Sequence, residues 1–90
     1  MMTIDFVVAE LGTVRREDLE EWIAHQWVLP EQQDGQYLFV AIDIARARLI
    51  AELRQEMAVN DEAIPIILSL LDQLYDLRRR IGAYGDAARG

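Results

Sequence analysis

The stretch that decides the fold is "EDLEEWIAHQWVLPE", residues 17–31. Leu19, Trp22 and Ile23 fall at i, i+3 and i+4, one face of an α-helix, while Glu17, Asp18, Glu20 and Glu21 occupy much of the remainder. The helical pattern starts near Arg15, stops near Gln26 and runs straight into a short extended segment, Trp27–Pro30. Upstream, Thr3 can cap a helix whose Ile4, Val7, Val8 and Leu11 share a face, and Gly12 ends it. Two short helices joined by a tight turn through Thr13 make a helix-turn-helix unit.

Downstream, "WVLP" and "QYLFV" read as two strands around "EQQDGQ", with Asp34-Gly35 as the hairpin turn and Pro30 tolerable at a sheet edge. A hairpin placed there is a wing. A longer helix is expected over 42–57, with Ala45, Leu49, Leu53 and Met57 along its inner stripe. "AVNDEA" interrupts it, and Asn60 or Asp61 caps a last helix expected over 61–81. Pro65 would cost about 3 kcal/mol deep in that helix, so it belongs in the first turn. Ile67, Leu70, Leu74, Leu77 and Ile81 form one stripe of the last helix, and Ile64, Leu68, Leu71 and Tyr75 form a second beside it. Together they cover about half the circumference, more than one amphipathic face needs. The expectation is that one stripe packs on the domain and the other, Ile67 to Ile81, joins two copies, antiparallel or crossed. Residues 1–82 are then one domain, and 83–90, poor in apolar anchors, a frayed tail.

Ninety residues leave room for a single core. A 52% hydrophobic content on so short a chain implies that part of the apolar surface is buried against a partner or a second copy. There is no cysteine, hence no disulfide framework and no thiolate metal site. The first residues lack a signal-peptide pattern, and the longest apolar run, residues 64–71, is broken by Ser69 and too short for a membrane span. A cytoplasmic protein that does not engage membranes is expected. His25 is the only histidine; it sits at a helix end near the last carbonyls, a structural position, and cannot build a histidine metal cluster alone. No nucleophile–base pair or glycine-rich phosphate loop is present, and the carboxylates of residues 17–21 lie on an exposed face without a pocket to separate their pKa values. The reading is of a non-enzyme without cofactor or metal. Trp22 belongs to the core, whereas Trp27 is open between core and a contact at the wing.

The formal charge is −7, and all nine basic residues are arginine. A helix that reads DNA should offer Arg or Lys to phosphates and bases, yet only Arg15 and Arg16 qualify before four acids follow. The wing segment 31–36 adds two acids and no base. Such a face cannot neutralise phosphates and is better matched to a basic protein surface. Glu17 and Asp18 also complement the helix dipole, as Arg78, Arg79 and Arg80 do at the end of the last helix; Glu20 and Glu21 lie beyond the first turn, where that effect fades.

The order of parts, with "EEWIAHQWVLPE" entering a wing, then "DGQYLFV" and a long helix, resembles the MerR-type winged-helix layout. The closing "VNDEAIPIILSLLDQLYDLRRRI", with Asn60 heading an aliphatic run and Asp72 and Arg78 behind it, is similar to the CbpM family of chaperone modulators, although Pro65 departs from the aliphatic run. The resemblance covers about residues 4–81. It implies a mainly α, MerR-like winged helix-turn-helix with a small β-hairpin wing and a long C-terminal dimerisation helix. It further implies a partner: the J-domain of a CbpA-like, DnaJ-type co-chaperone, whose access to DnaK such proteins block while restraining its DNA binding. Charge alone nominates the contacts: Glu17, Asp18, Glu20 and Glu21 first, Asp72 and Asp76 second. The alternative is a MerR-type transcriptional regulator using its wing with Arg15 and Arg16 on DNA.

Overall fold

Thr3 opens the first helix as its side chain dictates: the hydroxyl accepts from the Phe6 N–H at 3.3 Å, satisfying one of the free donors at a helix start. The computed structural model describes residues 1–89, and the side chains of residues 1–82. Its elements are β1 (Met2–Thr3), α1 (Ile4–Leu11), α2 (Arg16–Ala24), β2 (Glu31–Gln33), β3 (Gln36–Phe39), α3 (Ala41–Gln55) and α4 (Ile64–Arg89). This is the expected mainly helical, MerR-like winged helix-turn-helix with a small antiparallel sheet. Gly12 closes α1 with φ +73°, donating its N–H to the Val8 carbonyl.

The wing differs from expectation in two ways. Its first strand is the polar Glu31–Gln33, not Trp27–Pro30. Asp34 and Gly35, both at positive φ, make a two-residue turn that pairs Gln33 with Gln36 directly and Glu31 with Leu38, so the ladder is used up before Pro30. Trp27 and Val28 are instead both buried, which an alternating strand could not achieve. They are turned inward by the end of α2, where Trp27 N–H reaches the Trp22 carbonyl and Gln26 N–H the Ile23 carbonyl, each at 2.9 Å. That is a Schellman closure around Gln26 at φ +63°. The second difference is β1, which flanks β3 on its other side and pairs Met2 with Phe39. The sheet order is therefore β1-β3-β2.

Leu19, Trp22, Trp27, Val28 and Phe39 fill the centre, with Ile4, Val7 and Val14 closing one side. Trp22 is thus core as expected, and Trp27 resolves to core, with the His25 ring stacked on it at 4.8 Å between centroids. The inner stripe of α3 is Ile44, Ala47, Ile50, Ala51 and Leu53 rather than Ala45, Leu49, Leu53 and Met57. Of the expected set only Leu53 is buried; Leu49 is half-buried, and Ala45 and Met57 are exposed. A strict i+4 ladder drifts around a helix of 3.6 residues per turn, so it cannot keep to one side. Among the described residues Asp43 is the one charged residue in the core, its carboxylate accepting from the Val40 N–H at 2.9 Å to close the N-terminus of α3.

Asn60 caps the turn before α4, its side-chain oxygen accepting from the Ala63 N–H at 2.9 Å, and Pro65 sits in the first turn of α4 as expected. α4 starts at Ile64 rather than Asp61 and runs to Arg89. The frayed tail expected over 83–90 falls on residues whose side chains lie outside those described. α4 is held by Ile64 and Leu68, both buried in the core, and further along by Asp72, which accepts from Arg46 at 2.6 Å. Arg46 at the same time donates Nε to the Trp27 carbonyl at 2.7 Å, so one guanidinium ties α3, α4 and the end of the helix-turn-helix together.

Candidate protein-interaction face

The face that would read DNA is built by α1, α2 and the wing. The first 40 residues hold eight acids and two arginines, so six of the seven net negative charges of the chain lie in this half. Both arginines are engaged. Arg16 donates to Asp5 at 2.7 Å and to Glu20 at 3.0 Å, and Arg15 lies 3.7 Å from Asp18. An arginine held between two carboxylates has little left for a phosphate. The Asp5–Arg16–Glu20 group borders a crevice of about 300 Å³ between α1, α2 and the wing, floored by Ile4 and Tyr37.

The four carboxylates nominated on α2 have distinct surroundings. Glu17, in the first turn, is exposed and has no ion-pair partner among the described residues. Asp18 is half-buried and accepts from the Arg15 N–H at 3.0 Å, the job of an N-terminal cap. Glu20 takes the Arg16 guanidinium, and Glu21 lies 3.6 Å from His25 Nε2. Three of the four thus stay open to solvent, and pairs so exposed are weak enough to be exchanged for a partner's cation.

Asp72 and Asp76 sit on α4 and do not join this set: among the described residues no hydrogen bond or ion pair links them to α2. Asp72 is committed to Arg46, and Asp76 pairs with Arg79 at 3.5 Å and Arg80 at 2.7 Å. The arginine-rich end of α4 is therefore partly self-neutralised within one turn. Of the stripe expected to join two copies, Ile67 packs against the core, while Leu70, Leu74, Leu77 and Ile81 are 59, 43, 52 and 62% exposed. Beside them a groove of about 650 Å³ is lined by Ile42, Ala45, Leu49, Leu71 and Tyr75 together with the charged Arg46, Asp72 and Arg79.

Sequence reasoning missed Asp5 and Arg46. Asp5 reads as an ordinary first-turn acid, and Arg46 lies 19 and 26 residues from its two partners, a separation that leaves no local pattern. Among the described residues no helix is long and apolar enough to cross a membrane, and no group of three or more His, Asp or Glu is placed to hold a metal ion. No curated protein and no solved structure matches the chain. Residues 5–83 match the family described as "MerR HTH family regulatory protein". With nearly the whole domain matched and the helix-turn-helix, wing and long helix in place, the chain belongs to the MerR helix-turn-helix family of regulatory proteins.

Proposed function

We propose that this member of a regulatory family acts by binding protein rather than DNA: it is a non-enzymatic modulator that grips the basic helix of a J-domain and competes with DnaK for it. The observation that carries this reading is the charge of the helix-turn-helix half, whose only two arginines are occupied by Asp5, Asp18 and Glu20. DNA affinity is built on neutralised phosphates, and a face with a net charge of −6 repels them. A cationic helix meets the opposite situation: long-range attraction speeds encounter, and Glu17, Glu20 and Glu21 offer acceptors along one edge of α2. The similarity to CbpM-type modulators supports the choice of partner. In this reading two copies join through the exposed face of α4, and the protein works in the cytoplasm.

The second reading, a MerR-type DNA-binding regulator, is favoured by the family match itself. It requires Arg15 and Arg16 to leave their carboxylates for phosphate. Charge reversal separates the two. The double substitution Glu20→Lys with Glu21→Lys is expected to weaken binding to a J-domain about ten-fold or more at low salt and to flatten its salt dependence, leaving the circular dichroism spectrum unchanged. Undiminished, salt-insensitive J-domain binding by that variant, or sequence-selective DNA retention by the parent protein, would favour the regulator.

A further inference from the structure

Charge brings a basic helix to the acidic face but does little to hold it, because each exposed ion pair contributes little. A contact that holds has an apolar centre inside its polar rim. On the helix-turn-helix half that centre is Phe6. Its side chain is 50% exposed, and among the described residues it is the one exposed Phe, Tyr or Trp before residue 40. A lone apolar side chain at a surface is ordinary; the surroundings set this one apart. Around α1, Glu10 lies about 40° to one side of Phe6, and Ala9 and Asp5 lie about 60° and about 100° to the other. All three are exposed. Glu10 has no ion-pair partner among the described residues, and Ala9 is too short to cover the ring. Asp5 is joined through Arg16 to Glu20 on α2, so the aromatic stands within the same acidic surface as the α2 carboxylates. Its backbone is fixed as well: the Phe6 N–H is the donor that Thr3 caps, which places the ring on a rigid first turn rather than on a loop.

On these grounds we propose that Phe6 is the apolar anchor of the partner contact, and that the helix it takes is amphipathic as well as basic. An aliphatic side chain of that helix packs on the Phe6 ring, and cations about one turn to either side of it reach Glu10 and the Asp5–Glu20 pair. The outward face of α1 gives phosphate nothing to bind, since Asp5, Phe6, Ala9 and Glu10 carry no side-chain donor. The two kinds of residue then have separate effects. The carboxylates speed encounter and make it salt-dependent. Phe6, once covered, slows dissociation and adds no salt dependence. The inference rests on the J-domain reading above and adds the residue that holds the complex.

Binding kinetics of the full chain with an isolated J-domain, measured at several salt concentrations, test both and tell them apart. Phe6→Ala is expected to raise the dissociation constant at least about ten-fold, mostly through faster dissociation, with the parent's salt dependence and an unchanged circular dichroism spectrum. Phe6→Glu is the sharper probe, because charge alone and the anchor predict opposite signs. A face that works by charge alone gains a carboxylate and binds the J-domain more tightly. With Phe6 as the anchor, the same folded variant binds at least about ten-fold more weakly. Salt-dependent binding by the parent that is unchanged in Phe6→Ala and tightened in Phe6→Glu overturns the anchor and leaves the charge reading standing. A parent chain that binds no J-domain at any salt overturns both.

Discussion

Gln26 occupies the left-handed region, φ +63°, at the position after α2 where a glycine usually ends a helix. A side chain there costs about 1 kcal/mol of backbone strain, which this chain spends on turning Trp27 and Val28 into the core. Gln26→Gly should therefore stabilise the fold by about 0.5–1 kcal/mol, part of the relief being offset by the freer unfolded chain, and a shift of the urea midpoint to higher concentration measures it. Arg46 makes the opposite kind of contribution. Its two bonds differ in setting: Asp72 is mostly exposed, and the Trp27 carbonyl is part-buried. Asp72→Ala should cost under about 1 kcal/mol, as exposed ion pairs do. Arg46→Ala, which strands the carbonyl, should cost about 1–3 kcal/mol. Equal losses in a denaturation series would mean that the ion pair, not the backbone bond, is the working contact.

Among the elements, what was legible in the sequence is what is local. The Thr3 cap, the Gly12 stop, the Pro65 start and the Asp34-Gly35 turn each bind residues within four positions of one another, and each stands where expected. The strands were harder. β1 is two residues long and has no periodicity to detect, and β2 is all polar and exposed, so its pairing is set by the turn and not by burial. The apolar Trp27–Pro30 drew the strand assignment because bulky residues in a short run fit a strand and a core-facing loop equally well. The turn itself makes a clean test. A Cβ added at Gly35 would meet nothing within 4 Å, so any loss in Gly35→Ala is backbone strain at φ +77°. A cost of about 1 kcal/mol in a urea titration is expected. A neutral result would mean that the wing does not hold the two-residue turn.

Across the whole molecule, the candidate site was legible as charge and illegible as geometry. Counting acids along residues 17–21 was enough to doubt a DNA-reading face. That Arg16 bridges Asp5 and Glu20, or that Asp72 serves α3 instead of a partner, depends on contacts between separate elements. The same holds for α3, where Ala45 and Leu49 read as an inner stripe, yet Ala45 is exposed and Leu49 only half-buried against the core. The molecule divides into a helix-turn-helix half that carries nearly all the net charge and a helical half that carries most of the exposed large apolar side chains. Steering of a cationic partner to the first half falls with ionic strength, and pairing through the second does not.

The most direct test of the claim that the acidic face takes a basic protein helix is a side-by-side titration of the chain with an isolated J-domain and with duplex DNA, from low to physiological salt. Saturable J-domain binding that weakens as salt rises, with no DNA retained at the lowest salt, is the predicted result. Retention of DNA at low salt with no J-domain binding at any salt would contradict it.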